Sequence, residues 1–397
     1  MHTSSRPSVV ILGGGYAGLM ALARIKGSGL ADITLIDAKP MFEQRIRHHQ
    51  HLTGQRSAHI RYDRIAGIRF LQARIERVDA HFRLVYLENC AQPILYDYLV
   101  YALGSQLDNH RITGAGEGEY GVPLQNEQSL APFSAQLELI AREGKNVSVI
   151  GGGLTAVETA SELAERFPGL RVRMICAQPL GHDLSQRGAQ HLRKVLGGLG
   201  VDVIEGRRVQ ALGKDSLWLD DGHELPSALH VPLAGMKASP LARRSGWATL
   251  ADGRICVDKD LSLPGDSRIF AAGDGAAVQH GDGRLLRLAC AVSLPLGAQA
   301  GDNVVARLQG QTTTPFAFGY VFRCISLGRR DGLVQFVDPF DVSTDKIYTG
   351  RTAARIKEYI CRYTWMLPWM ELRGIRLGRF PRHAVTQNPI RNAEGAA

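Results

Sequence analysis

Nowhere in the 397 residues do about 18 apolar residues follow one another without interruption, so no transmembrane helix is expected. The stretch before Val9 is too short and too polar for a secretory leader, which points to the cytoplasm. Cysteine is sparse. Cys90, Cys176, Cys256, Cys290, Cys324 and Cys361 are scattered, and none forms a C-x-x-C pair. That pattern suggests neither a metal centre nor a disulfide framework, and most of the thiols read as small buried apolar groups. Acidic residues are scarce at the C-terminal end. From Arg351 to Ala397, nine Lys or Arg face three Glu, so most of the net charge of +9 sits there. No recognised nucleic-acid fold accompanies this surplus, so no nucleic acid partner is expected. An anionic membrane surface fits it better.

What is present begins with Val9-Val10-Ile11-Leu12-Gly13-Gly14-Gly15-Tyr16-Ala17-Gly18. Four apolar residues predict a buried parallel strand. Gly13, Gly15 and Gly18 then spell G-x-G-x-x-G at the entry to a helix. The first glycine permits a tight turn, the second lets the backbone approach a pyrophosphate, and the third lets helix and strand pack closely. The helix would aim its first amides at that pyrophosphate. A second strand, 33–36, ends at Asp37, where a ribose hydroxyl needs an acceptor.

The segment 39–50 that follows is dense in cationic and imidazole groups, Arg47 among them. It reads either as a cofactor wall or as a solvated helix face. Strands are predicted within 70–75 and 83–87, and again over 96–101 before the Gly104-Ser105 turn. A polar loop with Pro123 and Pro132 marks a domain boundary.

A second strand, glycine turn and helix opens at Val147, with Gly151, Gly153 and Thr155, and with Ala156 in the third glycine position. Two such units imply two bound dinucleotides. The next strand, 172–175, ends at Cys176, where a strict NAD site has an acid. Arg171 and Arg173 are close in sequence, and the choice between NADH and NADPH stays open. A third landmark, Arg268 to Asp274, is an apolar strand ending in Gly273-Asp274. A helix is expected from about Pro295, with Pro in a favoured first-turn position. Near the end, strands are read within 320–332 and 334–337. A basic helix is read over 351–367, followed by Trp365 and Trp369 around Pro368. It would lie on a membrane, pack on the domain or line a homodimer seam.

These motifs, in this order, resemble the two-dinucleotide flavoproteins of the pyridine nucleotide-disulfide oxidoreductase type. The chain is most similar to the type II NADH dehydrogenase-like and apoptosis-inducing-factor-like branch. The resemblance covers roughly Val9 to Leu308. It implies an α/β fold with two Rossmann-like dinucleotide-binding domains, for FAD and NAD(P)H, plus a small α+β C-terminal domain. The expected boundaries are 1–122 with 250–314 for FAD, 123–249 for NAD(P)H, and 315–397 for the last domain.

Carried over by position, Gly13, Gly15, Gly18 and Asp37 would hold the ADP half of FAD, with Gly104 nearby. Tyr16, Ala17, Ala38, Arg47, Ile75, Ala102 and Gly273 would complete that site. Asp274 would hold the ribityl chain, and Leu296 would face the flavin ring. Gly151, Gly153, Leu154, Thr155, Glu158 and Gly235 would bind the nicotinamide nucleotide, with Glu158 as the catalytic residue. The implied activity passes hydride from NAD(P)H to FAD and on to a small-molecule electron acceptor. Alternatives are a soluble flavin reductase serving a small molecule or protein partner, and a slow-turnover redox sensor. Two departures stand out. No cysteine pair occupies 42–52, which argues against a dithiol mechanism. No Gln occupies 289–296, where quinone-reducing members carry a Gln-rich signature, which argues against a quinone.

Overall fold

The structure is a computed structural model that describes residues 6–116, 118–124 and 127–383. The start of the Met1–Ser8 segment and the part of the basic tail after His383 lie outside the described residues.

The first fingerprint strand, Ser8–Leu12, sits in the middle of a six-stranded sheet. Parallel neighbours are Asp32–Asp37 on one side and Tyr98–Tyr101 on the other. Arg69–Gln72 extends one edge, and Asp266–Ala271 with the short Ser262–Leu263 extends the other. Val9 to Leu12 are fully buried, which is why this strand reads as a continuous apolar run rather than an alternating one. Burying each such side chain is worth about 1.5–3 kcal/mol.

Helix Tyr16–Ser28 leaves this strand and packs along helix Cys290–Leu308. The two approach closely because Gly297 and Gly301 carry no side chain. A Cβ at those positions would lie 2.1 Å from Ala17 O and 2.8 Å from Ala21 O. The second of these helices starts five residues earlier than its proline suggested. Pro295 is inside it rather than in its first turn.

The second fingerprint builds a separate, all-parallel sheet in the order Asp202–Glu205, Arg171–Cys176, Asn146–Ile150, Leu229–Pro232. Helix Leu154–Arg166 covers it. The two units are stitched by an antiparallel pair, Ser105–Leu107 with Met236–Ala238.

A third sheet, Phe322–Leu327, Asp331–Val337 and Ser343–Thr349, contains a strand that the sequence pattern did not reveal. The last strand alternates poorly, and most of its residues are exposed or half-buried. Ile325, Leu327 and Leu333 join the core of the second unit. The C-terminal helix, Gly350–Glu371, runs on through Pro368, so both tryptophans lie within it. Its far end docks on the first unit. Leu367 and Leu372 enter that core, and the buried Arg24 Nε lies 2.8 Å from Glu371 Oε2. This helix therefore bridges both units, and its buried face is Ala353, Cys361, Thr364, Leu367, Pro368 and Glu371.

Candidate functional site

Because the first sheet is parallel around its centre, its strands end together at one edge, and a cleft of roughly 560 Å³ opens there. The glycine turn is shaped for it. Gly13 has φ +95°, and a Cβ on it would lie 2.6 Å from Ala102 O. A Cβ on Gly18 would lie 1.8 Å from Gly13 O. At Gly15 a Cβ would meet nothing within 4 Å, so this is the glycine that faces the open cleft. No acid occupies the first turn of the helix, and no side chain caps it, which leaves its amides for a ligand.

Asp37 accepts the Gly14 amide at 2.7 Å and the Lys39 amide at 2.8 Å. Burial raises its pKa in spite of these bonds. Across the cleft, Asp274 accepts from the hydroxyls of Ser105 at 2.6 Å and Ser293 at 3.2 Å. The walls include Gly13, Gly15, Tyr16, Ala17, Asp37, Ala38, Ile75, Ala102, Gly104, Gly273 and Asp274. An open glycine, uncapped amides and two held carboxylates, Asp37 and Asp274, fit an elongated dinucleotide such as FAD.

Three residues expected at this site lie off its walls. Gly18 serves helix-to-turn packing. Leu296 is 2% exposed in the core, on the helix whose Gly297 presses against Ala17. Arg47 is drawn instead to the C-terminal helix, where its guanidinium makes a bidentate pair with Glu358 at 2.9 and 3.0 Å. Burial without a carboxylate partner would be costly for this cation, and Glu358 supplies one. The segment around it is not a solvated helix face: His48, His49, Gln50 and His51 are all buried. Lys39, Met41, Phe42, Glu43 and Arg45 of this segment line the cleft, and Arg45 donates to Ser105 O at 2.6 Å. Arg45 was not singled out from sequence, because its place depends on the distant Ser105 turn.

The second unit opens a pocket of roughly 760 Å³, lined by Gly151, Gly153, Leu154, Thr155, Glu158 and Gly235. Gly151 repeats the role of Gly13: φ is +133°, and a Cβ would lie 2.5 Å from Leu233 O. Gly153 faces open space, as Gly15 does. Glu158 is 6% exposed. Its Oε1 receives Lys357 Nζ at 2.8 Å and the Ser326 amide at 3.1 Å. Burial opposes its charge, but the Lys357 ammonium and the Ser326 amide outweigh burial and hold its pKa below the usual value. Lys357 in turn is held well above its ordinary pKa by Glu158, against the effect of its own burial. The pair is therefore ionic, and it joins the second fingerprint helix to the C-terminal helix.

The same pocket gathers three of the scattered cysteines, Cys290, Cys324 and Cys361, around Lys357. They come from three different elements, so no spacing rule could have found them. Burial pushes the Cys290 thiol up to about 12, and the other two are raised as well, so all three are neutral thiols. Among the described residues no group of His, Cys, Asp or Glu is arranged to hold a metal.

Residues 7–293 match the family model described as pyridine nucleotide-disulphide oxidoreductase. An NADH dehydrogenase-like protein of Mycobacterium tuberculosis is 29% identical over 351 residues, 81% of this chain and 85% of that one. A type II NADH:quinone oxidoreductase of Staphylococcus haemolyticus is 25% identical over 396 residues, covering 89% and 94%. Among solved structures, NDH2 of Plasmodium falciparum in complex with NADH superposes with a TM-score of 0.78 at 14% identity, over 93% of this chain and 98% of that one, a likeness of fold. With two glycine-cradled pockets on two parallel sheets, the chain belongs to the pyridine nucleotide-disulphide oxidoreductase family, as an FAD-dependent NAD(P)H oxidoreductase.

Proposed function

We propose that this oxidoreductase works as a type II NAD(P)H dehydrogenase, with a quinone-type small molecule as acceptor and an anionic membrane surface as its working place. One observation carries the acceptor reading. The pocket lined by the second fingerprint, Glu158 and Lys357 also has Ile46, Leu288, Phe322, Ile360 and the three neutral thiols in its lining. An apolar ring compound fits these apolar groups. The relatives named as NADH:quinone oxidoreductases support the same reading. No Gln stands at 289–296, and the groups in this lining are aliphatic, aromatic and sulfur rather than amide.

FAD, held by the first cleft, supplies a ring that accepts a hydride and gives its electrons up singly or in pairs. The chain's own residues supply position and charge. Gly15 and the amides after it admit the pyrophosphate. Asp37 and Asp274 fix the two ends of the cleft. Lys357 keeps its proton beside these apolar groups, where a fixed positive charge stabilises negative charge developing on an acceptor oxygen. Glu158 keeps that ammonium charged and in place. The surrounding apolar side chains exclude water and strengthen the interaction.

An acceptor panel with the purified flavoprotein tests this. Short-chain quinones should support the fastest NAD(P)H oxidation, ahead of oxygen, ferredoxin and small disulfides. Turnover with ferredoxin or a disulfide and none with any quinone would overturn the reading.

A further inference from the structure

The second sheet ends differently from the first, and the difference concerns the ribose. In the first unit, Leu12 pairs with Ile36, and the next residue is Asp37. In the second, Ile150 pairs with Ile175, and the next residue is Cys176. Cys176 therefore occupies the position of Asp37. Its thiol is 1% exposed, faces Ile204 O at 3.6 Å and is kept neutral by burial. A Cβ on Gly152 would lie 2.9 Å from the Cys176 Cβ, so the thiol sits directly beneath the glycine turn. No carboxylate waits there for a 2′-hydroxyl.

Nearby acids are occupied. Glu205, paired in register with Cys176, accepts the Leu180 amide at 2.6 Å and the Arg193 guanidinium at 2.7 Å. Asp183 lines the pocket but is ion-paired with Arg323.

Cations stand at the same edge. Strand Asp202–Glu205 turns through Gly206, at φ +70°, into Arg207 and Arg208, and both line the pocket beside Ala177 and Gln178. Arg207 Nε lies 3.0 Å from Asp221 Oδ2. Arg208 has no ion pair among the described residues. The arginines that drew attention in the sequence are elsewhere: Arg171 and Arg173 are at the far end of their strand, and Arg173 pairs with Asp202 at 3.0 Å.

We propose that Arg208, with Arg207 beside it and no acid at Cys176, forms a subsite for the 2′-phosphate of NADPH, and that NADPH is the preferred reductant. A guanidinium presents paired donors that match a phosphate, and a dianion there meets no carboxylate at the Cys176 position. The inference rests on the second pocket being the nicotinamide nucleotide site. It does not depend on which acceptor is used.

Calorimetry on the FAD-loaded protein tests it without turnover, comparing 2′,5′-ADP with 5′-ADP, and NADP⁺ with NAD⁺. The 2′-phosphorylated member of each pair should bind at least tenfold more tightly. Arg208→Ala should reduce that ratio to near one. A Cys176→Asp variant, which recreates the Asp37 arrangement, should invert it. Equal affinities in the wild type would overturn the proposal. So would an Arg208→Ala protein that weakens both ligands by the same factor, because a purely structural effect leaves the ratio intact.

Discussion

Lys357 Nζ lies 2.8 Å from Glu158 Oε1, and both side chains are withdrawn from water. A buried pair of this kind is costly to break from one side, because the remaining charge has no partner. Lys357→Met should destabilise the protein by about 3–5 kcal/mol, and Glu158→Gln combined with Lys357→Met should recover much of that. Glu158 has a depressed pKa, so its contribution is present above the unfolded value near 4.3 and is lost as pH falls through the lower folded value. Lys357 has a raised pKa, so its contribution is complete below about 10.4 and is lost as pH rises through the higher folded value. Glu158→Ala should slow flavin reduction by NAD(P)H in stopped flow while FAD content stays normal. An unchanged reduction rate would remove Glu158 from the site.

The glycines of the first fingerprint should separate by phenotype. Gly15→Val places its side chain in open cleft, so the protein should fold and yet purify without its yellow cofactor. Gly18→Val drives a side chain into Gly13 O, where even a Cβ would lie at 1.8 Å. That variant should fail to accumulate as folded protein. Full FAD retention by Gly15→Val on gel filtration would refute the assignment of the cleft.

His49 predicts an acid-side loss of stability. It is fully buried, its Nε2 has no partner among the described residues, and burial lowers its pKa to about 4. Between pH 6.5 and about 4 the unfolded chain takes up a proton that the folded chain refuses. Stability should fall over that window by up to about 1.4 kcal/mol per pH unit. His49→Gln should flatten the fall, as read from Tm against pH. A variant with the same slope as the wild type would assign the acid sensitivity to other groups.

What could be read from the sequence was what depends on local backbone. Gly13 and Gly151 announce themselves because a turn at positive φ leaves a glycine signature next to an apolar strand. Asp37 and Asp274 are legible because each follows an apolar strand closely, Asp37 as its last residue and Asp274 in the turn just after it. Lys357, Arg208 and Arg45 are not, because each reaches its site only when separate elements pack together. The three pocket cysteines show the same limit. Their scatter in sequence suggested inert core positions, yet three elements bring them to one pocket. Proline misled at Pro295, where tertiary packing through Gly297 and Gly301 holds a helix turn that a proline would ordinarily begin.

The C-terminal helix gives the last prediction, and its geometry changes how the test must be made. Trp365 and Trp369 are not free anchors. Their rings stack at 5.8 Å, they pack against the first core, and Arg373 covers Trp369 at 3.7 Å. The exposed apolar groups are Tyr359 at 63%, Ile375 at 47% and Leu377 at 46%, with Arg355, Arg362, Arg373, Arg376 and Arg379 exposed alongside them. Among the described residues no helix is long and apolar enough to cross a membrane, so attachment would be to its surface. Each basic residue near an anionic surface contributes about 1 kcal/mol, and salt screens it over about 10 Å at 0.1 M. Buried apolar side chains add a part that salt does not screen. Truncation before Arg351 would also remove Lys357 and the Arg24–Glu371 bridge, so it would confuse binding with unfolding. The clean variant is Tyr359→Ser with Ile375→Ser and Leu377→Ser. Wild-type protein should co-sediment with phosphatidylglycerol vesicles at low salt and release in part at high salt. The triple variant, with normal FAD content, should release completely at high salt. Wild-type protein that stays in the supernatant at low salt would reduce this helix to a strut between the two units, and the proposed acceptor would then have to reach the pocket from solution.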